Sequence, residues 1–379
     1  MNILIAPDSF KESLSAMEIS IAIEKGIKTV NPSIDTLNIP LADGGEGTIE
    51  AIIDATQGNT FTVNTVDALG RKTLAKYGIT GDNKTAIIEL ASASGIDKIK
   101  KQELDPSNAS TYGTGILIKY AIQKGIREFI ICLGGSATND GGTGLLKALG
   151  FKFKDKQGNL INEGGLSLKN LYEIDDSETL EELKDCQFNI ACDVTNPFVG
   201  SKGASTIFGP QKGASPCLVQ ELDHALNHFA NIIQKKYHVR VHDIEGAGAA
   251  GGTSGGLYGC LNAQIYSGFD LIASTLNLNK ILSDNNIDLI ITGEGQLDSQ
   301  TENGKVISGI SHLGDSYHIP TIALVGGIQN ISETLYKRGL IAVFSIVNQP
   351  MSLSKSMDFA ADLITKQTEQ VMRLYLSKL

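Results

Sequence analysis

The stretch Met1-Asn2-Ile3-Leu4-Ile5-Ala6-Pro7-Asp8-Ser9-Phe10-Lys11 decides the fold class. Ile3 to Ala6 is apolar without alternation, which reads as a strand buried on both faces, and such strands belong to parallel sheets covered by helices. Pro7 ends the run and hands the chain to a polar segment. A helix follows: Ser15 and Glu18 form a capping box, and Ala16, Ile19, Ile23 and Ile27 recur at helical spacing. Four more runs share the character of the first, namely Phe129 to Leu133, Leu289 to Thr292, Thr321 to Val325 and Ile341 to Val347. Strand, helix, strand order predicts a parallel sheet.

Between Gly58 and Leu90 the texture changes. Thr60 to Thr65, Thr73 to Thr80 and Ala86 to Leu90 alternate with period two and are separated by Gly and Asn turns, which predicts an antiparallel portion. The expected fold class is therefore α/β, a Rossmann-like parallel-sheet domain with an inserted mixed α/β domain. The sheet domain is expected over residues 1–44 plus 280–379 and the insertion over 45–279, with the active site in the cleft between them. The strand ending at Leu133 fits either sheet.

The chain has 379 residues, enough for two domains. Lys plus Arg is 32 against 42 for Asp plus Glu, a formal charge of −10, which argues against a nucleic-acid or anionic-membrane partner. No segment approaches the roughly 20 apolar residues of a membrane span, and Met1 to Asp8 lacks the basic start of a signal peptide. Five cysteines without C-x-x-C spacing fit a reduced cytoplasm.

Glycine, at 41 residues, is in excess, and it clusters after the apolar runs, where parallel sheets carry their functional loops. The followers are Pro7-Asp8-Ser9-Phe10-Lys11, Gly134-Gly135-Ser136-Ala137-Thr138-Asn139-Asp140-Gly141-Gly142-Thr143-Gly144 and Gly293-Glu294-Gly295-Gln296-Leu297-Asp298, and two more loops share their character, Ala42-Asp43-Gly44-Gly45-Glu46-Gly47 and Ala191-Cys192-Asp193-Val194-Thr195-Asn196-Pro197. Glycines let a backbone approach an anion, and carboxylates carry Mg²⁺ or accept a proton. Gly134 to Gly144 opens a helix, and that junction reads as an anion site. No G-x-x-x-x-G-K-[ST] occurs. Gly246, Gly248 and Gly251 match G-x-G-x-x-G without a preceding strand, so they read as a flexible loop over a ligand rather than a dinucleotide fingerprint. His224 and His228 on a helix, and His238 and His242 on a strand face, read as a solvated surface rather than a zinc site.

In order and spacing, Ala6-Pro7-Asp8-Ser9-Phe10-Lys11, Ala42 to Gly47, Leu69-Gly70-Arg71, Ser110-Thr111-Tyr112-Gly113-Thr114-Gly115, Gly134 to Gly142 and Thr292 to Asp298 resemble the bacterial glycerate kinase family of the first type. The likeness spans essentially the whole chain. It implies ATP-dependent phosphorylation of D-glycerate with Mg²⁺ on a two-domain α/β fold, 2-phosphoglycerate being the favoured product. Phosphoryl transfer asks for an anion cradle, carboxylates for Mg²⁺, a cation and a base near the acceptor hydroxyl.

On that reading Gly134, Gly135, Ser136, Asn139 and Asp140 surround phosphate, and Asp43, Glu46, Glu294 or Asp298 hold Mg²⁺. Lys11 is the cation near the transferring group. Asp193 is the base, with Asp8 competing for the role. Ser9 and Arg71 are expected at the substrate. Of the five arginines, Arg127, Arg240, Arg338 and Arg373 read as solvated, leaving Arg71 for the glycerate carboxylate, which a guanidinium matches with two hydrogen bonds. A kinase for another small hydroxy acid, and a nicotinamide-dependent oxidoreductase built on the Gly246 to Gly251 match, are the alternatives.

Overall fold

The protein is described by a computed structural model covering residues 1–298, 305–329 and 331–377. Its strands are β1 (Asn2–Ile5), β2 (Asp35–Asn38), β3 (Asn59–Val66), β4 (Lys72–Ile79), β5 (Thr85–Glu89), β6 (Glu128–Cys132) and β7 (Lys152–Lys154). They continue with β8 (Glu173–Asp175), β9 (Gln187–Ala191), β10 (Gln264–Tyr266), β11 (Leu289–Leu297), β12 (Thr321–Ile328) and β13 (Leu340–Ser345). The chain divides into two compact units, residues 1–43, 50–57 and 267–379, and residues 44–49 and 58–266.

The first unit is built on a wholly parallel five-stranded sheet in the order β13-β12-β11-β1-β2. Both faces are covered, as the unalternating apolar runs demand. In β12, Ile322 and Leu324 pack with Ile3, Ile5, Ile19 and Ile23, while Ala323 and Val325 pack with Leu297, Ile307 and Leu335. Ser15 caps the helix Ala16–Val30 through the expected capping box with Glu18. That helix lies so close to the helix Ala360–Leu376 that a Cβ on Gly26 would sit 2.6 Å from the Thr365 carbonyl oxygen. Thr365 Oγ1 donates to the Ala22 carbonyl at 3.0 Å across the same contact.

The second unit contains a mixed six-stranded sheet in the order β10-β9-β6-β5-β4-β3, with β3, β4 and β5 antiparallel and the remaining pairs parallel. The strand over Phe129 to Leu133 belongs here. Phe129 and Phe188, paired neighbours on β6 and β9, stack at 4.9 Å. A small antiparallel pair, β7 and β8, completes the unit's strands among the described residues.

Three local expectations are corrected. Glu294 to Leu297 is not a loop: β11 runs on to Leu297, and Glu294 pairs with Val325. The glycines make this possible, since a Cβ on Gly293 would fall 2.3 Å from the Leu324 carbonyl oxygen and one on Gly326 2.5 Å from that of Gly295. His238 and His242 do not share a strand. His238 ends the helix Pro216–Tyr237 in a left-handed conformation, and His242 is buried with Nε2 beside Asn231 Oδ1 at 3.0 Å. Gly246 to Gly256 is neither a fingerprint nor an open flap. Ala250, Gly251 and Gly252 are left-handed, and Cβ atoms on Gly251 and Gly256 would collide with the Thr138 and Gly141 carbonyl oxygens at 2.1 and 1.8 Å. The segment is a buried floor beneath the Thr138–Gly141 backbone.

No helix among the described residues is long and apolar enough to cross a membrane.

Candidate functional site

In the first unit, the carboxyl ends of β1 and β11 meet in a cavity of about 450 Å³. Asp8, Ser9 and Lys11 enter it from the segment after β1, Asp43 from the segment after β2, Glu294 and Asp298 from β11 and its exit. The Asp8 backbone N–H donates to the Gly293 carbonyl at 2.8 Å, and Thr292 Oγ1 donates to the Ala6 carbonyl at 2.7 Å, so the two strand ends are locked together. Asp8 thus stands at the cavity wall, only 8% exposed, its Oδ1 accepting from the Ser9 N–H at 2.6 Å.

Burial first, then the charges of Asp43 and Glu294, push the Asp8 carboxyl up to about 8 against the downward pull of the Ser9 N–H and Lys11. A carboxyl that changes charge near neutrality suits proton transfer. Lys11 is exposed, and a second lysine, Lys305, reaches the same cavity from the start of the helix Val306–Ser316. The sequence reading missed Lys305; its position at a helix start is the signal that could have found it.

The carboxylates were also expected to hold a metal. Asp43, Glu294 and Asp298 line this one cavity, and Glu46 is exposed on the neighbouring stretch of chain without lining it. Among the described residues no three carboxylates, imidazoles or thiols form a preassembled metal cage. Mg²⁺ is commonly held by one or two carboxylates together with substrate phosphates, and the charges of Asp43 and Glu294 bearing on Asp8 are of the kind that a cation offsets. Asp43, Glu294 and Asp298 therefore form a donor set that fits Mg²⁺.

In the second unit, the loop after β6 divides into two parts of different character. Gly134 and Gly135 are exposed, and Gly135 has a φ of +68°, a left-handed conformation that disfavours any side chain. The remainder is buried. Asn139 Nδ2 donates to Ser205 Oγ at 2.9 Å. Asp140, fully buried, accepts from the Thr111 N–H and Oγ1, each at 2.9 Å, and from the Gly142 and Gly144 N–H groups, each at 3.1 Å. The chain's own carboxylate thus occupies the helix N-terminus that the glycine pattern offered to an anion. Burial pushes Asp140 up, while its Thr111 and Gly144 donors pull it back toward the ionised form. The stretch left open to a ligand shrinks to Gly134, Gly135 and the edge of Ser136.

Beneath it lies a residue that sequence reasoning did not select. Lys212, on the one-turn helix Pro210–Lys212, is only 1% exposed, and its ammonium donates to Ser136 Oγ and to the Thr138 carbonyl, both at 2.7 Å. Burial pulls it down to about 7, against the charge of Asp140. Nothing in the surrounding Gly209-Pro210-Gln211-Lys212-Gly213 marks it as buried.

Asp193, half-buried, follows β9 by two residues, as expected. Burial pushes the adjacent Cys192 up to about 11, leaving it a thiol at neutral pH. Arg71 is already engaged: Nε donates to Asp67 at 2.6 Å and Nη1 to Glu103 at 3.0 Å. A substrate carboxylate would have to displace one of these. If the substrate is the glycerate that the sequence resemblance implies, Arg71→Ala is accordingly expected to leave its KM within about twofold of wild type and to shift the melting temperature only slightly, because Arg71 and Glu103 are exposed and the buried Asp67 keeps its Leu69 and residue-71 backbone donors. Steady-state kinetics at saturating ATP checks this; a tenfold rise in KM would return Arg71 to the substrate.

Comparisons with known proteins converge on one group. A profile of the glycerate kinase family matches residues 3–376. The glycerate 2-kinase of Escherichia coli K12 is 46% identical over 371 residues, covering 98% of this chain and 97% of that protein. A glycerate kinase of Bacillus subtilis 168 is 42% identical over 98% of this chain and 97% of its own length. A crystal structure described as glycerate kinase 2 from Salmonella typhimurium LT2 superposes with a TM-score of 0.92 at 42% identity, covering 100% of this chain and 99% of that one. With a parallel α/β unit ending in an acid-lined, lysine-bearing cavity and a second unit carrying a glycine loop, the chain belongs to the glycerate kinase family and is a phosphotransferase.

Proposed function

We propose that the protein transfers the terminal phosphoryl group of ATP to the 2-hydroxyl of D-glycerate. The observation that carries this reading is the cavity in which Asp8, poised to change charge near neutrality, stands with two lysines and further carboxylates. Asp8 takes the proton of the acceptor hydroxyl. Lys11 and Lys305 offset charge on the transferring group, and Gly134 and Gly135 in the second unit receive nucleotide phosphate on their exposed backbone. Mg²⁺, when bound with the nucleotide, neutralises phosphate charge, and Asp43, Glu294 and Asp298 are the side chains that would hold it. The choice of the 2-hydroxyl is supported by the name of the Escherichia coli relative, a glycerate 2-kinase. The five free thiols fit the cytoplasm as working compartment.

Asp193 is the competing base, and one substitution separates the two. Asp193→Asn is expected to keep kcat within about tenfold of wild type, whereas a loss beyond about 10²-fold would transfer the proton-accepting role to it. For the reaction itself, ADP release is followed with D-glycerate, tartronate and related hydroxy acids, and with NAD offered in place of ATP. D-glycerate is expected to give the highest kcat/KM. A better hydroxy acid would reassign the substrate on the same scaffold, and turnover with NAD alone would overturn the kinase reading.

A further inference from the structure

We propose that Lys212 is a positioning residue for phosphate binding: by donating to Ser136 Oγ it turns the Ser136 hydroxyl into a dedicated donor to an anionic phosphate oxygen of the nucleotide. The inference rests on the reading of Gly134 to Ser136 as the phosphate-receiving loop.

A lysine is almost never fully buried unless its charge is used. Here the ammonium sits under the loop with two acceptors of that loop, Ser136 Oγ and the Thr138 carbonyl, each 2.7 Å away. In its charged form Lys212 can only donate, so Ser136 Oγ then accepts and its own proton points elsewhere. Among the described residues, that proton is given to no acceptor of the chain. Ser136 follows directly on exposed Gly134 and Gly135, and so sits where the backbone passes from open to buried. Two further polar atoms of the loop, Thr138 Oγ1 and Asn139 Oδ1, are buried without a partner among the described residues. Such atoms are uncommon in a folded protein. The loop's hydrogen bonding is therefore not completed by the chain alone. A charge-assisted donor aimed by a buried cation is stronger than a neutral hydroxyl, and an arriving phosphate would in turn favour the charged form of Lys212.

A double-mutant cycle on the full-length protein tests this, with kcat/KM for ATP as the readout and Ser136→Ala, Lys212→Met and the pair as variants. Each single change is expected to lower kcat/KM for ATP by more than about tenfold, with the KM for D-glycerate within about twofold, and the pair to be no worse than the poorer single. If Lys212→Met costs the same factor with and without Ser136, the lysine acts as general scaffolding and the proposal is overturned. Normal ATP kinetics in Ser136→Ala would overturn it as well, and Gly135→Val, measured alongside, then shows whether the phosphate-loop reading falls too. Circular dichroism reports folding. Should Lys212→Met not fold, Lys212→Gln, which retains an uncharged N–H donor, runs the same cycle.

Discussion

Asp8→Asn is expected to lower kcat by more than about 10²-fold while leaving the KM for D-glycerate nearly unchanged, because asparagine keeps the shape and the Ser9 contact but cannot accept the hydroxyl proton. The pH profile separates this role from mere charge. A base must be ionised to act, so wild-type kcat/KM should climb with pH up to an apparent value at or below about 8, the position set by burial, Asp43 and Glu294 and lowered by Lys11 and any bound cation. In Asp8→Asn that rising limb should vanish. A variant with wild-type kcat, or with the limb intact, removes Asp8 from proton transfer.

The same substitution carries a stability consequence of opposite sign. In the folded protein Asp8 holds its proton up to about 8, whereas the unfolded chain releases it near 3.8. Between those values the folded state binds more protons, so wild-type stability falls as pH rises through the window. Asparagine has no such dependence. In EDTA, Asp8→Asn should be more stable than wild type at pH 8.5, on the order of 2 kcal/mol once charge sharing with Asp43 and Glu294 is allowed for, and about equal near pH 4. Urea titrations at the two pH values check the sign.

Gly135→Val is expected to raise the KM for ATP by well over tenfold. The residue has a φ of +68°, a conformation costing a side-chain-bearing residue on the order of 1–2 kcal/mol and a β-branched one more. Its Cβ would lie 3.2 Å from the Ala91 Cβ, close enough to shift the loop. The Val methyls would also cover the backbone that a phosphate must reach. Circular dichroism distinguishes an unfolded variant from a folded one. A folded Gly135→Val with unchanged ATP affinity, measured by titration calorimetry, would take this loop out of the nucleotide site.

The parts of the fold legible in the sequence are those set by local chemistry. Ile3 to Ile5 and Thr321 to Val325 are buried on both faces, and Ser15 with Glu18 starts the first helix, because each needs only its own neighbours. Asp8 at the cavity was readable in the same way, from its position after a strand, and Asp43 from the glycine-acid character of its loop. What escaped depends on contacts distant in sequence. Asp140 looked like a ligand for phosphate, yet it caps two helix starts because Thr111, 29 residues away, folds against it. Arg71 looked unpaired until Glu103 came within 3.0 Å. Glu294 looked like a loop residue because glycines flank it, but those glycines serve close strand contacts that only the folded sheet reveals. Lys212 gave no local sign at all, since its burial is decided by Ser136 and Thr138, 76 and 74 residues earlier.

The central claim is transfer of phosphate from ATP to the 2-hydroxyl of D-glycerate, and ³¹P NMR of one reaction tests it most directly. The wild-type protein is incubated with D-glycerate, ATP and Mg²⁺, and the product is identified by its proton-coupled phosphorus signal. The account predicts loss of the γ-phosphate signal of ATP with equal growth of a doublet, from the single proton on C2, that matches 2-phosphoglycerate. A triplet from the two C3 protons, matching 3-phosphoglycerate, would contradict the assignment of the hydroxyl, and an unchanged ATP spectrum would contradict the phosphoryl transfer itself.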